Sequence, residues 1–167
     1  MTIKNPDKII NEIYEKFHCN NYIKYHSKAV YNRAKIISRH YKVDENLIKT
    51  GSMLHDIGRM KTASIKHAYI GADLLRKEDI DEKVCLITER HIGAGIIPTE
   101  AKELNLPDRT YIPETLEEKI VAHADNLVHK SSPVTLDFVI KKWERKNMHP
   151  SSIKRLIKLD HELIRRQ

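Results

Sequence analysis

Apolar residues recur three and four positions apart along nearly the whole of this 167-residue chain. That spacing is the period of an α-helix, and the alternation of a strand is nowhere sustained. The punctuation agrees. Asn5-Pro6-Asp7 reads as an N-cap, a proline at the first helical position and an acid in the first turn, opening a helix to about Phe17. A second helix spans roughly Tyr22 to His40. Asp44 caps a third, ending near Gly58, Ser64 a fourth, to about Glu78, and Asp81 a fifth, to about Ile92. Gly93–Pro113 is the least regular stretch, with a short helix near Thr99. Thr115 with Glu118 forms a capping box for a helix to about Lys130. Ser132-Pro133 opens another, to about Asn147, and Pro150 precedes the last. These signals predict an all-α helical bundle of about seven to nine helices, a single domain over residues 1–167.

Composition narrows the class. Hydrophobic residues make 40% and charged residues 32% of the chain, which suits a globular protein rather than a membrane or disordered one. No stretch approaches the roughly 20 apolar residues of a membrane-spanning helix. The segment MTIKNPDKII has no apolar core and no cleavage site for export. Two cysteines, Cys19 and Cys85, are too few for a disulfide framework or an all-cysteine zinc site. A cytoplasmic protein without a membrane partner is expected. The net charge of +7 favours anionic partners such as nucleotides, phosphorylated metabolites or RNA. A genome rich in Lys and Ile codons produces the same excess, so charge alone decides little.

The histidines decide more. His26 shares a face with Ile23, Val30 and Ile37. His55 lies on the stripe Leu47, Ile48, Gly51, Leu54, with Asp56 just after it. His67 precedes Ile70, Gly71 and Leu74; His91 follows Val84 and Ile87; Asp125 sits among Val121, Ala124 and Val128. Four histidines and two aspartates on five helices thus point inward. One inward histidine is ordinarily a core residue with a hydrogen-bond partner, and one inward aspartate a cap or half of an ion pair. Two buried carboxylates without basic neighbours on their stripes are costly. A shared cation would neutralise them and accept the imidazole nitrogens. His18, His40, His123, His129, His149 and His161 read as surface residues or as outer supports of such a site.

The ordered set His26, then His55-Asp56 in LHDIGR, then Asp125 in HADN, resembles the H…HD…D signature of the HD-domain superfamily of metal-dependent phosphohydrolases, and HDIG names one of its branches. The resemblance covers about residues 22–130, with C-terminal helices over 132–167 beyond it. His67 and His91, lying between HD and the last aspartate, look like the H…HD…H…H…D variant that holds two metals. TERHIGAGI and TLEEKIVAHADNLV are similar to a small group of HDIG-domain proteins.

The resemblance implies an all-α enzyme that cleaves a phosphomonoester or phosphodiester of a nucleotide or related small molecule through a metal-activated water. It implies one or two divalent ions at His26, His55, Asp56, His67, His91 and Asp125, with Asp56 as the natural bridge. Mixed nitrogen and oxygen ligation suits Mn, Fe, Co, Ni, Zn or Mg, and spacing does not choose among them. Asp56 and Arg59 are the catalytic candidates. Arg59 is the first choice for gripping phosphate, ahead of Lys61, Lys66 and Arg90, each of which reads equally as a solvated face. Gly93–Pro113 is a candidate lid or pocket wall. Alternatives are an RNA-end or cyclic phosphodiesterase, and a non-catalytic nucleotide-binding module that keeps the fold.

Overall fold

The computed structural model describes residues 3–164. Within them lie nine α-helices: α1 (Pro6–Lys16), α2 (Asn21–Ser38), α3 (Glu45–Leu54), α4 (His67–Lys77), α5 (Glu82–Glu89), α6 (Pro98–Glu103), α7 (Leu116–Asn126), α8 (Leu136–Arg145) and α9 (Pro150–Leu163). A 3-10 turn covers Ile57–Met60, and two short antiparallel strands, β1 (Val128–His129) and β2 (Ser132–Pro133), form a hairpin. The chain is all-α apart from that hairpin. No helix among the described residues is long and apolar enough to cross a membrane.

Side-chain caps start most of the helices. Asn20, Asp44, Asp81, Thr115, Thr135 and His149 each accept from a backbone N–H in the first turn that follows. Helix α3 is the central element, packed on α1, α2, α5 and α7, while α4 lies along α5 and α9 against α7. The core follows most of the stripes expected from the sequence, with Val30, Ala34 and Ile37 of α2, Leu47, Ile48 and Leu54 of α3, Ile87 of α5 and Ile120 and Val121 of α7, but on α4 it takes Ala72 and Leu75 while Ile70 and Leu74 are only half-buried. Each such Leu, Ile or Val side chain contributes about 1.5–3 kcal/mol on burial.

Several boundaries and caps differ from the sequence reading: α5 ends at Glu89 rather than near Ile92, α7 ends at Asn126 rather than near Lys130 because the hairpin begins there, and Asn5 makes no side-chain cap bond to α1. Helix α3 stops at Leu54 instead of near Gly58, because the chain turns there into the 3-10 segment. Gly58 lies so close to α4 that a β-carbon on it would overlap the carbonyl oxygen of His67 and sit 2.7 Å from the nitrogen of Gly71. Ser64 does not cap α4; its carbonyl, not its hydroxyl, takes the N–H of His67. Glu118 does not complete a capping box. Thr115 Oγ1 accepts from its N–H at 3.2 Å, but the Glu118 carboxylate accepts from the Glu114 N–H and from Arg90 instead. Ser132-Pro133 opens no helix. It is the outer hairpin strand, where a proline without an N–H is tolerated, and α8 starts one turn later behind Thr135.

Gly93–Pro113 is pinned down. Ile96 bridges Tyr111 in antiparallel fashion. Arg109 holds Asp73 and Glu89, each at 2.7 Å, and Arg155 of α9 holds Glu100 at 2.6 Å.

Candidate metal centre

The stops and starts of the helices bring the expected residues to one end of the bundle. His55 and Asp56 follow directly on α3, His67 is the first residue of α4, His91 comes two residues after α5 ends, Asp125 is the penultimate residue of α7, and His26 lies in the second turn of α2. His91 therefore points inward from just beyond its helix, not from within it. The C-terminal ends of α3, α5 and α7 converge here, and the negative ends of their dipoles favour positive charge.

Asp56, 4% exposed, is the hub. Its Oδ1 lies 3.1 Å from His67 Nε2 and 3.4 Å from His91 Nε2. Its Oδ2 lies 3.6 Å from His26 Nε2 and 3.7 Å from His55 Nε2. Asp125 Oδ1 is 2.9 Å from His26 Nε2 and 3.5 Å from His55 Nε2. One carboxylate thus faces two donor sets, His26, His55 and Asp125 on one side and His67 and His91 on the other.

The far nitrogens settle the imidazole orientations. His55 Nδ1 donates to the Ser52 carbonyl at 2.7 Å, His67 Nδ1 to Ser64 at 2.8 Å, and His91 Nδ1 to Thr88 at 2.6 Å. Ser52 and Thr88 are in the last turns of α3 and α5, whose final carbonyls have no partner within the helix. His26 Nδ1 donates to the carbonyl of Lys130, in the hairpin turn. With Nδ1 carrying a proton in each ring, loss of the second proton leaves Nε2 an acceptor facing carboxylate oxygens that are acceptors too. His67 Nε2 and His91 Nε2 are 3.1 Å apart. Two N–H groups cannot face each other at that distance, so at least one of these nitrogens is a bare lone pair. His55 Nε2 and Asp56 Oδ1 are buried and make no hydrogen bond among the described residues.

Burial pushes the pKa of the Asp56 carboxyl up, but the imidazoles of His55, His67 and His91 outweigh it and hold the group well below the usual carboxylate range. Burial pulls His55 down, yet Asp56 and Asp125 raise it to about 9; burial leaves His91 lowered. Without an ion the two carboxylates hold an extra proton on His55; a divalent cation among the same nitrogens and oxygens would supply that positive charge instead, which is chemistry that fits this donor set. Two groups have spacing compatible with an ion, His26 with His55 and Asp125, and His55 with Asp56 and His91.

The site opens into a cleft of about 410 Å³, with His26, Asp56, Arg59 and Asp125 on its floor side and the hairpin and α8 opposite. Arg59 donates from Nε to Asp56 Oδ2 at 3.0 Å, and its side chain is 38% exposed at the mouth. The other expected phosphate cations are elsewhere. Lys61 and Lys66 do not line the cleft, and Arg90 is held by Glu114 and Glu118 at 3.0 Å each. No residue of Gly93–Pro113 lines this cleft either, so that stretch is not its wall. His129 and Lys142 do line it; the sequence offered only the nearness of His129 to Asp125 as a signal. His123 is not a surface residue. It is fully buried, with Nε2 on Asp160 Oδ1 at 2.9 Å, tying α7 to α9.

The sequence model of one family, described as HD domain, matches residues 23–129. The chain belongs to the HD domain family. An uncharacterized protein of Methanocaldococcus jannaschii is 51% identical to this HD domain over 140 residues, covering 82% of each chain. Two proteins named tRNA (cytidine(56)-2'-O)-methyltransferase are also similar. The one from Picrophilus torridus is 46% identical over 83% of this chain and 40% of its own length, and the one from Thermoplasma volcanium 43% identical over 86% and 42%. The HD domain chain thus spans about two fifths of those enzymes. Among solved structures, the HD domain of the L. monocytogenes phosphodiesterase PgpH in complex with cyclic-di-AMP superposes with a TM-score of 0.58, at 19% identity, over 91% of this chain and 92% of that one. That likeness is one of fold.

Proposed function

We propose that this HD domain is a metal-dependent phosphohydrolase that cleaves a phosphoester of a nucleotide or related small molecule. The observation that carries the reading is Asp56, one buried carboxylate with each oxygen turned to a different pair of imidazole nitrogens. His26, His55, Asp56 and Asp125 would hold one divalent ion, and His67, His91 and Asp56 a second. Ions in those places supply Lewis acidity at phosphate and a water acidic enough to attack at neutral pH. The chain's own groups do the rest. The backbone carbonyls fix the imidazoles, α8 and the hairpin shield the cleft, and Arg59 stands at the mouth as a fixed positive charge.

The decisive experiment measures metal content of the purified protein together with hydrolysis of bis(p-nitrophenyl) phosphate in several divalent ions. Ion-dependent turnover abolished by a chelator is expected. A wild-type protein that cannot be loaded with any ion overturns the reading, and one that binds ions but turns over neither this ester nor a panel of nucleotides is a binding module. An RNA-end or cyclic phosphodiester substrate is the second reading. It is favoured by the similarity to part of two tRNA-modifying enzymes, and short RNAs belong in the same panel.

His67→Ala and His91→Ala test the two-ion arrangement. Each is expected to retain one ion and lose the other, with a steep fall in turnover, as read by elemental analysis beside kinetics. Full metal content and rate in both variants would make these histidines core residues.

Arg59→Ala should keep fold and metal and lose roughly 10²-fold in kcat, the usual effect of removing one fixed donor to developing phosphoryl charge. Arg59→Lys should recover part, because charge survives while the planar fork is lost. Lowered stability with an unchanged rate would make Arg59 a prop for Asp56 and the Ala63 carbonyl.

A further inference from the structure

The wall of the cleft opposite Asp56 has a chemistry of its own. Lys142, on α8, donates from Nζ to His129 Nδ1 at 3.1 Å. That bond leaves His129 with its proton on Nε2, so the pair offers an imidazole N–H and the remaining ammonium hydrogens. Both residues line the cleft, and so does Lys130 from the hairpin turn. No carboxylate lies within ion-pair distance of Lys130 or Lys142 among the described residues. Lys141, the next residue, by contrast pairs with Asp137 on the outer face of α8. Burial, with neighbouring Lys146, pulls the pKa of the Lys142 ammonium down although the Asp125 carboxylate acts the other way, and burial with Lys142 and Lys130 pulls that of the His129 imidazole down. Positive charge has therefore been gathered on one side of the cleft without a direct ion pair, the Asp125 carboxylate of the same cleft acting on Lys142 only through space. Phe138, whose ring centroid is 5.5 Å from that of His129, supplies a flat apolar surface beside it.

We infer that Lys142 and His129, with Lys130, form a second phosphate subsite, so that the preferred substrate is a nucleotide carrying a phosphate in addition to the one that reacts. The inference rests on the phosphohydrolase reading of the same cleft and identifies the class of substrate within it. The reacting phosphate lies on the Asp56 side, beside Arg59. The second, non-reacting phosphate lies against α8, with the nucleoside between them along Phe138. A mononucleotide with a single phosphate fills only half of that arrangement.

The test compares two linear dinucleotides that differ in one group, pApA, with a 5′-phosphate, and ApA, without it. Calorimetry uses versions of both with a non-hydrolysable methylenephosphonate linkage, on the metal-loaded wild-type protein and on Lys142→Met, which keeps the length of the side chain and removes its charge. Wild-type protein should bind pApA at least about tenfold more tightly than ApA, the worth of a charge-assisted contact. In Lys142→Met the two should bind alike, and Lys142→Arg should restore part of the preference. Equal binding by the wild type, or a preference that survives in Lys142→Met, overturns the inference. Hydrolysis is scored in parallel. A binding preference that depends on Lys142 while no ester is hydrolysed keeps the subsite and removes the phosphohydrolase, whereas hydrolysis of both dinucleotides without preference does the reverse.

Discussion

Asp56→Asn is expected to strip the protein of most of its divalent metal and to lower turnover by roughly 10³-fold or more, since several kcal/mol of charge stabilisation disappears with the ions and each 1.4 kcal/mol is a factor of ten. Asparagine keeps the size and one oxygen. What it removes is the second oxygen and the negative charge, and only a residue with both can face His67 and His91 on one side and His26 and His55 on the other. The loss should therefore reach both ions, unlike His67→Ala or His91→Ala, each of which disturbs one. Melting curves supply a second readout. A ligand that binds only the folded chain stabilises it by about 2.7 kcal/mol at a hundredfold excess over Kd, so a chelator should lower the Tm of the wild type and leave that of Asp56→Asn nearly unmoved. Elemental analysis showing a full complement of metal in the variant would refute the hub role of Asp56.

Gly58→Ala should be the most damaging of single-methyl changes. The added carbon would overlap the carbonyl oxygen of His67 and press on the nitrogen of Gly71. Both are backbone atoms of α4, with no rotamer to move out of the way. Relief requires the 3-10 turn and α4 to part, and α4 begins with His67. An overpacked site usually costs about 1–3 kcal/mol, and a rigid backbone contact belongs at or beyond the upper end. In a chain of this size about 3 kcal/mol lowers the Tm by roughly 6–12 °C. Any protein that remains folded should show weakened binding of the ion held by His67. A Gly58→Ala protein with wild-type Tm and metal content would show that the close approach relaxes freely.

Much of this was legible in the sequence. The helical period located every main helix, because it is local; of the caps, Asp44, Asp81 and Thr115 sit as read, whereas Asn5 and Ser64 make no side-chain cap bond. The inward stripes pointed to the cluster of His26, His55, His67, His91 and Asp125, because periodicity reports which face is buried, although His55 and His91 lie just beyond the ends of α3 and α5. What escaped were properties decided between elements. Arg90 looked free until Glu114 and Glu118 came to it from elsewhere in the chain. His123 looked like an outward neighbour of Asp125, but α9 covers that face and brings Asp160 with it. Lys142 and His129 are 13 residues apart on a helix and a hairpin, and no period links them. Ser132-Pro133 carried a helix-start signature that Thr135 carried too, and only the pairing with β1 distinguishes them.

The two sides of the cleft are held with unequal strength. On the floor, every ligand helix is embedded in the main core around α3. On the roof, Val139 is the one buried residue of α8, meeting Leu127 and Leu156 in a small separate cluster. Lifting α8 exposes little more than that cluster, an amount of apolar surface worth only a few kcal/mol, while the floor separates only when the whole molecule unfolds. Opening of the roof is therefore a sub-global event with its own free energy, well below that of denaturation. Entry and exit of a molecule larger than the cleft can proceed on the microsecond-to-millisecond scale of such motions without disturbing the imidazoles beneath.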